Sequence, residues 1–366
     1  MDNNQKAFFE LLRAGLWEKE VRLLPYKDID FSKVYRIAEE QSVLGLIAAG
    51  LEHVSDVKVP QQWALQFAGQ TIQLEQRNKA MNIFIARLIE KLKNEDIYTL
   101  LVKGQGIAQC YERPLWRASG DVDLYLSKGN YEGAKSLLLP LAENIEKEGK
   151  ICLHLGFAIE GWAVELHGTM HNTFSRRMNR VADDVHSNLF YNGNVRCWNN
   201  NGVQVYLPSV NNDVIIIFNH IINHFFLEGV GLRQICDWCR LLWTYRSELD
   251  IWLLGTRIRK MGLLTEWKAF YNLASRYLGM PDLGEGLMAC DPRFDKKADR
   301  IMEFVLENGN FGHNRDVSYR TKKSAAVVNI ITLWRRICDF TKFMKVFPWD
   351  SPKFFGQYLW NRILYM

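Results

Sequence analysis

The sequence predicts an α+β fold, a small mixed sheet embedded in N- and C-terminal helical regions. Two observations carry this. Short β-favouring runs cluster between residues 97 and 167, and the chain on either side carries apolar residues at helical spacing. The length allows two or three domains, and there is no internal repeat and no low-complexity linker.

Taken in order, Phe8, Leu11, Leu12, Gly15 and Leu16 form one stripe. Val34, Ile37, Gln41, Leu44, Ala48 and Leu51 form the next. Pro60 opens a segment free of further proline until Pro114, with Met81, Phe84, Ile85, Leu88 and Leu92 on one face. The character changes at Ile97. Residues 97–102 read as a strand ended by Lys103-Gly104-Gln105-Gly106, a brief helical stretch runs from Ile107 to Tyr111, and a loop carries Pro114. Asp121–Leu126 is a strand by its alternation, Tyr131–Lys147 a helix, and Cys152–Ala158 and Trp162–His167 two strands joined at Glu160-Gly161. Beyond Pro208, helices are predicted over Val214–Leu227, Leu232–Tyr245, Trp252–Met261, Leu264–Leu278 and Ala298–Leu306. The regions divide at 1–80, 81–208 and 209–366.

Composition excludes several classes. With 48% hydrophobic and 24% charged residues, the 366-residue chain is neither disordered, collagen-like nor a disulfide miniprotein. Seven scattered cysteines suit reduced thiols, no apolar stretch is long enough to span a bilayer, and Met1–Lys6 does not begin a signal peptide. Together these predict a cytoplasmic protein. Net charge is +5, yet residues 317–366 alone hold nine Lys or Arg against two acids, a surplus larger than that of the whole chain. That tail interleaves bases with rings (Trp334, Arg335, Arg336, Phe340, Lys342, Phe343). It reads as a helical segment packing its rings, or as a contact for a membrane surface, anionic partner or nucleic acid.

The chemistry lies in Asp121–Leu126. On a strand, Asp121 and Asp123 project to one side, while Val122, Leu124 and Leu126 point into a core. Two carboxylates about 7 Å apart repel unless a cation intervenes, and hard oxygen ligands suit Mg²⁺ with phosphate oxygens. Upstream, the Lys103-Gly104 turn lets backbone approach a phosphate. Downstream, Glu165 shares a face with Ala163 and His167. The bland alternative is a solvated edge strand with two acids.

In this ordered set the chain resembles the DNA polymerase β-like nucleotidyltransferase superfamily, and within it the bacterial uncharacterised nucleotidyltransferases. The likeness rests on residues 101–104, 117–125 and 164–167, and covers about residues 80–210 in detail. It implies transfer of a nucleoside monophosphate from an NTP donor to an acceptor hydroxyl with two Mg²⁺ ions. By position, Asp121, Asp123 and Glu165 would be the catalytic, metal-holding carboxylates, and Gly104 would sit against the triphosphate. Lys103 and Arg117 would neutralise phosphate charge. The acceptor would be a small molecule, sugar or protein hydroxyl, nucleic acid being less favoured. Two departures stand out: Gln105 follows Gly104 where the superfamily has Ser or Gly, and the loop to Asp121, with Arg113 and Arg117, is long. Its bases either bind phosphate or hold the loop on acidic neighbours. The alternative function is a non-catalytic protein that keeps this fold to engage an anionic partner.

Other features carry weaker messages. His220 and His224 have zinc spacing, but the glutamate of a metalloprotease helix is missing, so a polar helix face is the better reading. Cys236 and Cys239 read as buried thiols on a helix, and Arg233 and Asp237 as an i, i+4 pair. His167 is a supporting or substrate-contacting candidate, and His154 a weaker one.

Overall fold

The structure, a computed structural model, describes residues 1–149, 152–227, 229–315 and 325–365. Four helices lead: α1 (Asn3–Trp17), α2 (Phe31–Glu40), α3 (Leu44–Glu52) and α4 (Gln61–Asn94). Asp2 and Gln5 close a capping box at the start of α1. The apolar stripe from Val34 to Leu51, expected as one helix, is two. Ser42 takes φ 56 between α2 and α3, and the buried Gln41 side chain donates to the Val305 carbonyl instead of continuing the helix. Pro60 ends the preceding segment and α4 then runs unbroken through residue 80.

Next come β1 (Thr99–Val102), the single-turn α5 (Gly104–Ala108), β2 (Asp121–Leu126) and α6 (Lys128–Leu138). Then follow β3 (His154–Ile159), β4 (Trp162–His167), α7 (Arg176–Phe190), β5 (Val195–Asn200) and β6 (Val203–Pro208). Helix α6 stops well short of Lys147, in a tight turn containing Pro140, after which Glu143 pairs with Ala158. Glu160 and Gly161, both at positive φ, make the predicted tight turn between β3 and β4.

The sheet order is β1-β2-β4-β3. Strands β1 and β2 are antiparallel, β2 and β4 parallel, β4 and β3 antiparallel. Its two faces differ in kind. Leu101, Val122, Leu124, Leu126, Phe157, Val164 and Leu166 pack beneath Met81, Phe84 and Leu88 of α4 and Tyr131 and Leu138 of α6. The opposite face carries Asp121, Asp123, Glu165, His167 and His154.

That face looks toward α8 (Val210–Leu227) and α9 (Leu232–Thr244), after which come α10 (Ile251–Met261), α11 (Leu264–Leu278) and α12 (Asp295–Asn308). These share a ring-rich core with α1–α3, built on Phe218, Phe225, Trp238, Trp267 and Phe270. Cys236 and Cys239 are buried free thiols, as predicted. Two tail helices, α13 (Ala325–Val346) and α14 (Asp350–Tyr365), cover the far side. Phe343, Phe347 and Phe354 pack on Phe225 and Phe226, while Trp334, Trp349 and Trp360 remain exposed. Of the basic tail residues, Arg320, Lys322, Lys323 and the side chain of Arg362 lie outside the described residues. No described helix is long and apolar enough to cross a membrane.

Two sites test the packing. Helices α1 and α3 touch backbone to backbone: a Cβ on Gly15 would strike the Leu46 carbonyl, and one on Gly50 the Leu11 carbonyl. Gly15→Ala should therefore cost about 1–3 kcal/mol. Gly69→Ala, in open space on α4, should stabilise by about 0.5–1 kcal/mol. Opposite shifts in Tm are expected; equal shifts would refute the close-contact reading.

Glu266 is fully buried in the first turn of α11, with neither carboxylate oxygen hydrogen-bonded among the described residues. Burial, then the Asp350 charge, raise its carboxyl to about 8. A carboxyl raised on folding favours the native state most fully below its unfolded value of about 4. That contribution is lost as pH rises through about 8. Tm should fall between pH 6 and pH 9, and Glu266→Gln should flatten that slope.

Candidate active site

Strand register builds the site. Asp123 lies directly across from Glu165 in the parallel β2–β4 pair, with Asp121 two residues away on the same face. Val102 pairs with Asp123, so Lys103 leaves β1 beside the carboxylates. Its Nζ lies 2.6 Å from Asp123 Oδ1. Lys103 takes φ 55 and Gly104 φ 39, an unusual turn that folds the chain sharply over β2; a Cβ on Gly104 would lie 3.4 Å from the Asp121 carbonyl.

Charge is dense here. Asp123 is almost fully buried, and its Oδ1 also meets His167 Nε2 at 2.8 Å. The Asp123 charge, together with burial, pushes the Asp121 carboxyl up. Burial would raise Glu165 too, but hydrogen bonds from His154 and His167, with the Lys103 charge, hold it well below the usual carboxylate range. Burial would lower the Lys103 ammonium; Asp123, Glu165 and Asp121 outweigh it and raise it. His167 is likewise raised: burial and Lys103 oppose its charge, and hydrogen bonds to Asp123 and Glu165 prevail.

Helices α8 and α9 wall the cleft. A pocket of about 360 Å³ is lined by Lys103, Gly104, Arg117, Asp121, Asp123, Ile217, His220, Arg233, Gln234, Asp237 and Phe311. Burial, then the Lys103 charge, hold the His220 imidazole well below its ordinary value. His220 and His224 meet edge to face, ring centroids 4.2 Å apart, and no third ligand joins them in a metal group among the described residues. The histidine spacing therefore serves a cleft wall. Arg233 donates to the Ala118 carbonyl at 3.0 Å, and its buried Nε has no hydrogen-bond partner among the described residues.

The long loop is held down. Arg117 Nε and Nη2 clasp Asp237 at 3.0 and 2.5 Å, both residues being buried, and Tyr111 Oη donates to the same carboxylate at 2.8 Å. Asp237 thus pairs across 120 residues with Arg117, where the sequence suggested Arg233. Arg113 pairs with Glu52 at 2.6 Å. Gln105, the departure from the superfamily turn, is a bracket: its Nε2 donates to Asn78 Oδ1, and Asn78 Nδ2 donates to the Leu115 and Arg117 carbonyls.

The structure therefore gathers Lys103, Gly104, Asp121, Asp123 and Glu165, and sets Arg117 behind them on Asp237. The family model of the uncharacterised nucleotidyltransferases matches the chain over residues 27–279. The chain belongs to that family. The match takes in every residue of the carboxylate cluster and the α8–α9 wall up to Asp237, and it supports nucleotidyl transfer as the general function. No curated protein and no solved structure matches the chain.

Two contacts in the site of this nucleotidyltransferase are not foreseen from the sequence, although it singles out both His154 and Asp237. His154 reaches Glu165 because β3 and β4 pair His154 with His167, a register that only the Glu160-Gly161 turn could have disclosed. Asp237 carried no signal linking it to Arg117. Removing its charge leaves a buried guanidinium unpaired, so Asp237→Ala should cost about 3–5 kcal/mol. The check is the denaturation midpoint; an unchanged midpoint would mean the pair does not hold the loop.

Proposed function

We propose that this nucleotidyltransferase moves a nucleoside monophosphate from an NTP to an acceptor hydroxyl, with Asp121, Asp123 and Glu165 as its reactive carboxylates. The observation that carries the reading is that these three acids share one face of the sheet, Asp123 directly across from Glu165 and Asp121 two residues before Asp123. Such a cluster is stable only with cations beside it, and its all-oxygen donor set at Asp121 and Asp123 fits Mg²⁺. Asp121, which accepts no side-chain hydrogen bond among the described residues, offers both oxygens. Asp121, Asp123 and Glu165 would hold divalent ions, whose chemistry is to neutralise the triphosphate and the developing charge at the attacking and leaving oxygens.

The chain's own share is positioning and electrostatics. Lys103 at the strand end and Arg233 with its free Nε face the phosphates across the pocket. Arg117, fixed by Asp237, sets the height of the loop over Asp121. The bond that forms joins the acceptor oxygen to the α-phosphorus, and the bond that breaks frees pyrophosphate. The hydroxyl proton passes to water, because the hydrogen bonds that hold Glu165 well below the usual carboxylate range make it a weak base.

One observation favours a second reading, a non-catalytic member that binds an anionic partner: Lys103 and His167 already neutralise Asp123. A single set of titrations separates the two. ATP, GTP, CTP and UTP are titrated calorimetrically into the protein with and without Mg²⁺, beside the Asp121→Asn/Asp123→Asn variant. Transfer predicts Mg²⁺-dependent binding of at least one nucleotide, lost in the variant. It also predicts pyrophosphate release that falls at least about 100-fold in Glu165→Gln with the fold kept. A well-folded protein that binds no nucleotide would overturn transfer.

A further inference from the structure

The two ends of the carboxylate face differ in donor chemistry. At one end Asp121 and Asp123 present only oxygen. At the other, Glu165 stands between two imidazoles. His154 Nε2 lies 3.1 Å and His167 Nε2 3.4 Å from the same oxygen, Glu165 Oε2. All three ligand atoms fall within 4.8 Å of one another, and no other group of three or more such ligands, the Asp121, Asp123 and Glu165 set included, comes this close among the described residues.

The spacing suits an ion. Bonds of about 2.0–2.2 Å to nitrogen and oxygen place tetrahedral ligand atoms roughly 3.3–3.5 Å apart. Backbone register fixes the arrangement: His154 is directly opposite His167 on antiparallel strands, and Glu165 precedes His167 by two residues on the same face. Gly156 is directly across from Glu165, and the Glu146 carboxylate lies over it: a Cβ there would be 2.7 Å from Glu146 Oε2. His167 Nε2 faces two carboxylate oxygens, Asp123 Oδ1 at 2.8 Å and Glu165 Oε2 at 3.4 Å. One ring nitrogen has a single proton or lone pair to offer, so hydrogen bonding serves both oxygens poorly.

We propose that His154, Glu165 and His167 form a binding site for one divalent transition-metal ion of the Zn²⁺ or Co²⁺ class. Two imidazoles and one carboxylate favour such ions over Mg²⁺, which prefers oxygen and water. Three protein ligands leave a position for water or substrate, the pattern of reactive rather than structural zinc. The ligands are partly accessible: His154 and Glu165 side chains are 35% and 31% exposed, and His167 10%. The site shares Glu165 with the nucleotidyl-transfer reading but requires neither nucleotide nor Asp121, so the two can fail separately.

The test uses the full chain without nucleotide. Zn²⁺ is titrated calorimetrically against a competing chelator, and Co²⁺ is followed by its visible absorption, in the wild type and in His154→Ala, His154→Gln, Glu165→Gln and Asp121→Asn. Circular dichroism checks that each variant is folded. One equivalent should bind, with absorption bands of nitrogen-coordinated Co²⁺. Affinity should fall at least about 10-fold in both His154 variants and in Glu165→Gln, a lower bound set by the loss of a mere supporting group. His154→Gln can still donate to Glu165 but has no ring nitrogen, so its loss of binding separates ligation from structural support. Asp121→Asn should keep the Co²⁺ site even where it abolishes Mg²⁺-dependent nucleotide binding. Three results would each overturn the site: no saturable binding, equal binding in the His154 variants, or loss in Asp121→Asn alone.

Discussion

Negative charge crowded on one side of a sheet is the constraint around which this molecule is arranged. Asp121, Asp123 and Glu165 are fixed by strand pairing and cannot move apart without breaking β2 from β4. Desolvation magnifies their repulsion, so positive groups must stand close. Lys103 does so directly, and its turn conformation follows from having to leave β1 at the one point where its ammonium reaches Asp123. His167, two residues beyond Glu165, is the second such group.

The opposite face makes this arrangement affordable. Val122, Leu124 and Leu126 on β2, Leu155, Phe157 and Ile159 on β3, and Val164 and Leu166 on β4 are apolar and nearly inaccessible, under α4 and α6. Burial of a Val or Leu side chain contributes about 1.5–3 kcal/mol each, enough in aggregate to hold the strands in register against the repulsion above them. A slip of one residue would exchange the faces, placing carboxylates in the apolar layer. Register and site are therefore one property.

What the sequence disclosed follows from how local each signal is. Asp121–Leu126 is legible because period-2 alternation needs six residues only, and Glu165 and His167 share that logic. The stripe from Val34 to Leu51 keeps helical phase across a break at Ser42, so periodicity alone could not see the turn. Helix α7 and the β5–β6 hairpin escaped notice for another reason. Arg176–Phe190 is polar on average, which masks a stripe of Met178, Val181, Ala182, Val185 and Leu189 at helical spacing, and the hairpin alternates weakly around Asn200-Asn201-Gly202. Arg117 with Asp237, and Gln105 with Asn78, meet only through the folded chain, which no local pattern encodes.

The Arg117–Asp237 pair shows why such distant contacts exist. As a source of stability a buried ion pair is a poor choice, since apolar residues of similar volume would often hold the loop as well. What apolar packing lacks is direction. Two parallel hydrogen bonds from a planar guanidinium fix the angle and height of the loop against α9, and Ser119 extends that control toward Asp121 by accepting from Arg117 Nη1 at 2.6 Å. Asn78 grips the same loop by its carbonyls from α4. Residues 114–120 are thus bound to both helical flanks at once, and β2 begins where that grip ends. The helical regions on either side of the sheet are in this sense parts of the site: they set where its first carboxylate stands.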